Sequence, residues 1–273
     1  MTASATTEAS DAAQASATPQ TQVTHGSKVV AITGANRGIG LGIAECCEEF
    51  AALTKRYPGK LHALIISEAG VLHGMVVNAG RTHHKAALDF TKEEVENLFN
   101  VNLFGALYTA RAAVSAFIKL EVKGSIVFTA SMASYRPIKR VPSTPYGASK
   151  AGIRNVALTL AMEWAQHSIR VNSVSPSLVK TAMTYCVPQQ PDWEQQLKYY
   201  GEIWRFGEVQ ELGGAYVYFL SDAASYTTFV DIPVIGVISS KSSRVPQVLA
   251  RRRLICHMQE LKVVKATSFS CER

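Results

Sequence analysis

The stretch KVVAITGANRGIGLGIAECC (residues 28–47) decides the fold. Its first six residues form a short run rich in β-branched side chains, suited to a buried parallel strand. Gly34, Gly38 and Gly40 follow at once, and a helix-forming run comes after them. Glycines let the backbone turn sharply and approach a pyrophosphate. The helix N-terminus behind them adds N–H donors and the positive end of its dipole. The spacing is G-x-x-x-G-x-G and not the general G-x-G-x-x-G. The strand before and the helix after therefore carry the nucleotide-binding reading over a plain tight turn. The expected fold is α/β, a doubly wound, Rossmann-like parallel sheet in one domain.

The bulk of the chain fits that expectation. Its 273 residues, 47% of them hydrophobic, allow one α/β domain with a sizeable core. No uninterrupted apolar run reaches the roughly 18 residues of a membrane span. Residues 1–27 are rich in Ala, Ser and Thr and lack both an apolar block and Arg, so they read as a disordered leader on a cytoplasmic protein. Most of the net charge of +7 lies in residues 239–273, a basic tail, and the domain itself occupies 28–238. A solvated tail is a commoner use of such charge than nucleic-acid binding. The cysteines are odd in number and contain no C-x-x-C pair, and His83–His84 is a lone adjacent pair, so no disulfide framework or metal site is expected.

Tyr-x-x-x-Lys occurs twice, as Tyr146 with Lys150 and as Tyr135 with Lys139. The spacing means something only where i and i+4 share a helix face. Pro137 disfavours a helix through the second pair, whereas the first leads into AGIRNVALTLAMEWAQH, a good helix. Tyr146 and Lys150 are thus expected to face one cleft, with the ammonium lowering the phenol pKa. Upstream, GSIVFTAS reads as a strand ending at Ser131, which places a hydroxyl beyond a carboxyl end, where such sheets bind ligands. Thr91 and Glu94 form a capping box for the helix that carries Asn102. Asn102 is either a core capping residue or part of the site.

With these residues in place, the chain resembles the short-chain dehydrogenase/reductase family over roughly residues 28–236. The shared motifs are TGANRGIG, VNAG (77–80), Asn102, Ser131, YGASK and RVNSVSPSLVKT (170–181). The likeness is strongest to fungal NADP(H)-dependent polyol, sorbose and secondary-metabolite reductases. It implies that Tyr146 is the general acid/base, that Ser131 orients the carbonyl, that Lys150 binds the nicotinamide ribose, and that Asn102 holds a relay water. It further implies cofactor contacts from Gly34, Gly38, Ile39, Gly40, Asn78, Arg111, Tyr146, Lys150, Val179 and Thr181, with Arg37 on the 2′-phosphate of NADP(H). A homodimer or homotetramer through the Asn102 and Tyr146 helices is implied as well. The chain departs from the pattern at Val77, at Ser177 after Pro176, and at Phe229, where the family has Gly.

One region is too short. Only 37 residues lie between Gly40 and Asn78, where three helices alternating with three strands would need about 65. LHALIIS (61–67) and LHGMVV (72–77) both read as strands, but the four residues between them cannot form a parallel crossover. About 30 residues are missing by this count, as in a spliced product. An alternative lets LHALIIS replace the lost strand, with Glu68 on the ribose and NAD as cofactor. Beyond Thr181, the aromatic stretch to Phe206 reads as a lid. The expected activity is the interconversion of a ketone and a secondary alcohol of a small fungal metabolite. A catalytically impaired nucleotide- or protein-binding relative, and a dehydratase or epimerase on the same fold, are the alternatives.

Overall fold

The computed structural model describes residues 28–47, 70–137, 142–200 and 203–236. The leader, LHALIIS with Glu68, Lys139 and the basic tail lie outside the described residues.

Five strands form one parallel sheet: β1 (Val30–Ile32), β2 (Gly74–Val77), β3 (Ser125–Thr129), β4 (Arg170–Pro176) and β5 (Asp231–Val234). They lie in sequence order, β1-β2-β3-β4-β5, with Val30 opposite Gly74, Val76 opposite Val127, and Thr129 opposite Val174. Every residue of β1, β2 and β3 is buried, as expected of a parallel sheet covered on both faces.

The helices are α1 (Gly38–Cys46), α2 (Lys92–Phe99), α3 (Gly105–Lys119), α4 (Thr144–Trp164), α5 (Trp193–Tyr200) and α6 (Gln210–Leu220). The expected capping box starts α2: Glu94 N–H donates to Thr91 Oγ1 at 3.2 Å, and Thr91 N–H donates to Glu94 Oε2 at 3.0 Å. A π-turn, Asn100–Phe104, joins α2 to α3. The combined helix Lys92–Lys119 is long and apolar enough to cross a membrane by length and composition. Its Ala106, Ala110, Ala113, Val114 and Phe117 are buried in the hydrophobic core, as in a core helix.

The two faces of the sheet are distinct. The Tyr216 hydroxyl of α6 bonds Thr129 Oγ1 on β3, and α1 packs beside α6. Arg154 of α4 pairs with Asp231, whose carboxylate accepts from Ser173, and Ser173 sits opposite Phe128. Because alternate strand residues face opposite ways, α4 lies on the other face from α6 and α1. The steps β1→β2 and β3→β4 run in the same direction, yet α1 and α4 sit on opposite faces. Two right-handed crossovers stepping the same way would put their helices on one face.

Two local details differ from the sequence reading. Strand β3 ends at Thr129, and Ser131, still extended at φ −170°, opens the 3-10 turn Met132–Ser134. Phe229 holds the left-handed conformation, φ 66°, that the usual glycine would adopt.

Candidate active site

The glycine turn after β1 is built for close approach. Gly34 has φ 67°, and a Cβ on Gly40 would sit 2.4 Å from Gly34 O and 2.6 Å from Asn78 Nδ2. Only glycine fits there. Arg37 is the N-cap of α1, extended and exposed, and its side chain caps no N–H of the helix. The first-turn N–H groups are thus not taken by a side-chain cap, as pyrophosphate binding requires. Ile39 turns its side chain against the core, which leaves only its backbone for a cofactor.

A second strand end braces this turn. Asn78 Nδ2 donates to Thr33 O at 3.1 Å and to Gly34 O at 3.5 Å. The N–H groups of Asn78 and Ala79 donate to Thr33 Oγ1 at 3.0 and 3.1 Å. Thr33 is thus the joint between the two loops. The sequence reading passed over it, although a Thr ending a strand before Gly is a visible signal. The Asn78 side chain holds the turn in place.

The next loop leads to the catalytic group. A Cβ on Gly80 would lie 3.4 Å from both Asn102 Oδ1 and Lys150 Nζ. Asn102, 1% exposed, accepts from Arg81 N–H at 2.9 Å, and its Nδ2 donates to Arg81 O at 2.9 Å and Ser149 Oγ at 3.1 Å. Ser149 in turn donates to Tyr146 O at 2.8 Å. Of the two sequence readings for Asn102, the hydrogen bonds show the structural one. Its side chain is a staple between the β2 loop and helix α4, and it stands beside Lys150.

Ser131, Tyr146 and Lys150 come together at the carboxyl ends of β3 and β4. The Ser131 hydroxyl faces the Tyr146 phenol and accepts from Ala133 N–H at 3.1 Å. Lys150 Nζ donates to Thr129 O at 2.7 Å and lies 5.9 Å from the Tyr146 ring centroid. Burial brings the Lys150 pKa down to about 8. The expected lowering of the Tyr146 pKa by Lys150 is corrected: burial holds the phenol above its ordinary range, and the Ser131 hydroxyl pulls only partly against it. The physical reason is that the ammonium is itself buried and turned to the Thr129 carbonyl, so desolvation of the phenol dominates.

The other assigned residues divide. Val179 is buried and bridged to Gly207, and the Thr181 methyl lies 3.6 Å from where a Gly38 Cβ would be, so this segment sits over the glycine turn. Arg111 is exposed on α3, nine residues past Asn102, or roughly 13 Å along the helix. Among the described residues, no hydrogen bond or ion pair joins it to this site. Tyr135, the rejected alternative, instead bonds Asp231 and stacks on Arg154. Residues 180–206 leave and return at one point, since Lys180 N–H donates to Gly207 O and Gly207 N–H to Leu178 O, both at 2.9 Å.

A glycine turn that fits a pyrophosphate, next to a buried serine and lysine and a half-buried tyrosine, defines a nucleotide-dependent oxidoreductase site. A family profile described as enoyl-(acyl carrier protein) reductase matches residues 59–236. The NADP-dependent mannitol dehydrogenase of Hypocrea jecorina is 32% identical, over 77% of this chain and 91% of its own. The sorbose reductase of Schizosaccharomyces pombe is 39% identical, over 63% of this chain and 66% of its own. The crystal structure of a short-chain type dehydrogenase/reductase from Mycobacterium marinum superposes with a TM-score of 0.71 at 28% identity, over 78% of this chain and 96% of that one. The chain belongs to the short-chain dehydrogenase/reductase family, and it is an oxidoreductase of that class.

Proposed function

We propose that this protein uses NADP(H) to interconvert a ketone and a secondary alcohol of a small fungal metabolite, with polyols and keto-sugars the first class to test. The observation that carries the reading is the convergence of buried Ser131 and buried Lys150 on the Tyr146 phenol, with Lys150 Nζ 5.9 Å from its ring centroid. Polyol and keto-sugar enzymes among the relatives support the substrate class.

NADPH, when bound, supplies the hydride that reaches the carbonyl carbon. Gly34, Gly38, Gly40 and the α1 N-terminus would hold its pyrophosphate. Arg37 would meet the 2′-phosphate, and Val179 and Thr181 would close over the turn. Ser131 holds the carbonyl oxygen by hydrogen bonding. Tyr146, whose phenol is protonated at neutral pH, donates its phenolic proton to that oxygen as the alcohol forms. Lys150 would bind the nicotinamide ribose. The π-turn at Asn102 interrupts the usual helical ladder, and a relay water held there would return the proton. The excursion 180–206, with Trp193 and Phe206 rings 5.9 Å apart, would act as the lid.

We propose also that the chain is shortened between Gly40 and Asn78. The match to the mannitol dehydrogenase runs over 248 residues while drawing on 77% of the 273 here, so the relative has residues for which this chain has none. The opposite faces taken by α1 and α4 fit the loss of a strand that would reverse the winding. Exposed Phe104, Tyr108 and Met162 on α3, its π-turn and α4 support a homodimer or homotetramer through these helices.

The test is a panel of ketoses, polyols and simple ketones with NADPH or NADP. Tyr146→Phe should lower turnover by about 10²–10⁴-fold and leave NADPH affinity unchanged. Turnover that survives Tyr146→Phe would refute the assignment, and a product lacking water or inverted at carbon would favour a dehydratase or epimerase.

A further inference from the structure

A polar cluster outside the site is organised around one carboxylate. Asp231 opens β5 with its side chain 8% exposed. Its Oδ1 accepts from the Ser173 hydroxyl and, at 3.0 Å, from the Ser175 hydroxyl. Its Oδ2 accepts from the Tyr135 phenol, and Arg154 Nε lies 3.8 Å away. The Arg154 guanidinium stacks 3.6 Å from the Tyr135 ring centroid, and its Nη1 donates to Ser134 Oγ at 3.5 Å.

Each partner sits on an element that carries a working group. Tyr135 closes the 3-10 turn that Ser131 opens. Arg154 lies one helical turn beyond Lys150 on α4. Ser173 and Ser175 share one face of β4, the strand that leads to Val179 and Thr181. A buried carboxylate paired with arginine adds little net stability over an apolar replacement of equal volume. What the cluster supplies is geometry, a joint that ties the Ser131 turn and helix α4 to the last strand. Ser131 already accepts from Ala133 N–H, so small shifts of that turn re-aim its hydroxyl.

We propose that Asp231 is a positioning residue for this reaction. Through Tyr135 and Arg154 it fixes the Ser131 turn against α4, and so sets how the Ser131 hydroxyl meets the Tyr146 phenol. This rests on the reductase reading above.

The test compares wild type, Asp231→Asn and the double variant Asp231→Asn/Arg154→Met. Melting temperature, kcat, KM and the titration of the Tyr146 ring carbon by NMR are measured, with Tyr146→Phe assigning the signal. Asp231→Asn should lower kcat by about 10- to 100-fold with little change in KM for NADPH. Tyr146 should titrate at higher pH, because the Ser131 hydroxyl that favours its phenolate no longer faces it. The double variant removes the unpaired guanidinium and should recover melting temperature while kcat stays low. Recovery of kcat and of the Tyr146 titration together with stability would overturn the proposal. So would a variant that melts earlier but leaves the Tyr146 titration unmoved. If wild type turns over no ketone, the reductase reading fails, and the ligand-free Tyr146 titration still decides the role of Asp231.

Discussion

The centre of the sheet and its margins tell different stories. At the centre, Asn102 and Ser149 staple the loop after β2 to helix α4, which carries Tyr146 and Lys150, and Ser131 opens the turn after β3. At one margin, β1 has no strand on its outer side among the described residues, and the helix that follows it lies on the unexpected face. At the other, Phe229 occupies a backbone conformation suited to glycine. The central departures, Val77 and Ser177, leave Asn102, Ser131, Tyr146 and Lys150 in place. At the margins the departures touch the frame of the sheet itself.

The largest effect is expected at the centre, where function opposes stability. Folded, Lys150 loses its proton near pH 8, against an ordinary value of 10.5. Between those values the unfolded chain binds more protons, so stability rises with pH across that window. Below about pH 8 the full penalty of burying the ammonium is present. The shift corresponds to about 3 kcal/mol. Lys150→Met should therefore unfold at higher urea than wild type at pH 7, with the gain closing as pH approaches 10.5, while turnover is lost. A variant less stable at every pH would show that the Thr129 bond outweighs desolvation, and the contrast between centre and margin would weaken.

At the β1 margin, Arg37 is exposed and has no part in capping α1. A charge-assisted bond to a 2′-phosphate is worth about 1.5–3 kcal/mol. Arg37→Leu should weaken NADPH by that amount and leave NADH almost unchanged, as read by fluorescence titration of both cofactors. An unchanged NADPH/NADH ratio would remove Arg37 from the site and favour Glu68 with NAD.

The sequence made the centre legible because its signals are local. A strand run before glycines, an i,i+4 pair on a helix without proline, and a capping box each name their own geometry. Pro137 rightly separated Tyr135 from the catalytic pair, but nothing local showed that Tyr135 would meet Asp231, 96 residues away. The pKa of Tyr146 was misjudged for a related reason. Proximity of Lys150 is readable from spacing, whereas burial of both groups depends on the whole sheet. The direction in which Lys150 points, toward Thr129 O, was equally invisible.

The proposed shortening between Gly40 and Asn78 gives the next test. Inserting a strand-helix segment after Cys47 and a turn-helix segment after Ser67, about 30 residues in all, would restore the usual winding. NADPH should then bind about tenfold tighter, or roughly 1.4 kcal/mol, and Arg37→Leu should matter more in the lengthened chain. Micromolar NADPH binding by the unmodified chain, unimproved by the insertion, would mean that the lost elements are dispensable and that the margin is as complete as the centre.

The smallest effect lies at the far margin. Phe229 has φ 66° and is 47% exposed, and its N–H donates to Val171 O at 3.0 Å, which keeps the backbone in that turn. The left-handed region costs a residue with a Cβ about 1–2 kcal/mol. Glycine avoids that cost but adds unfolded-state entropy of about 0.5–1 kcal/mol. The difference favours Phe229→Gly by about 0.5–1 kcal/mol, seen as a higher urea midpoint with unchanged turnover. Phe229→Ala separates the two contributions of the side chain, because it removes the ring and keeps the Cβ. It should gain nothing. Equal gains from Ala and Gly would place the penalty in the half-exposed ring, and the backbone at this margin would then be no more strained than at the centre.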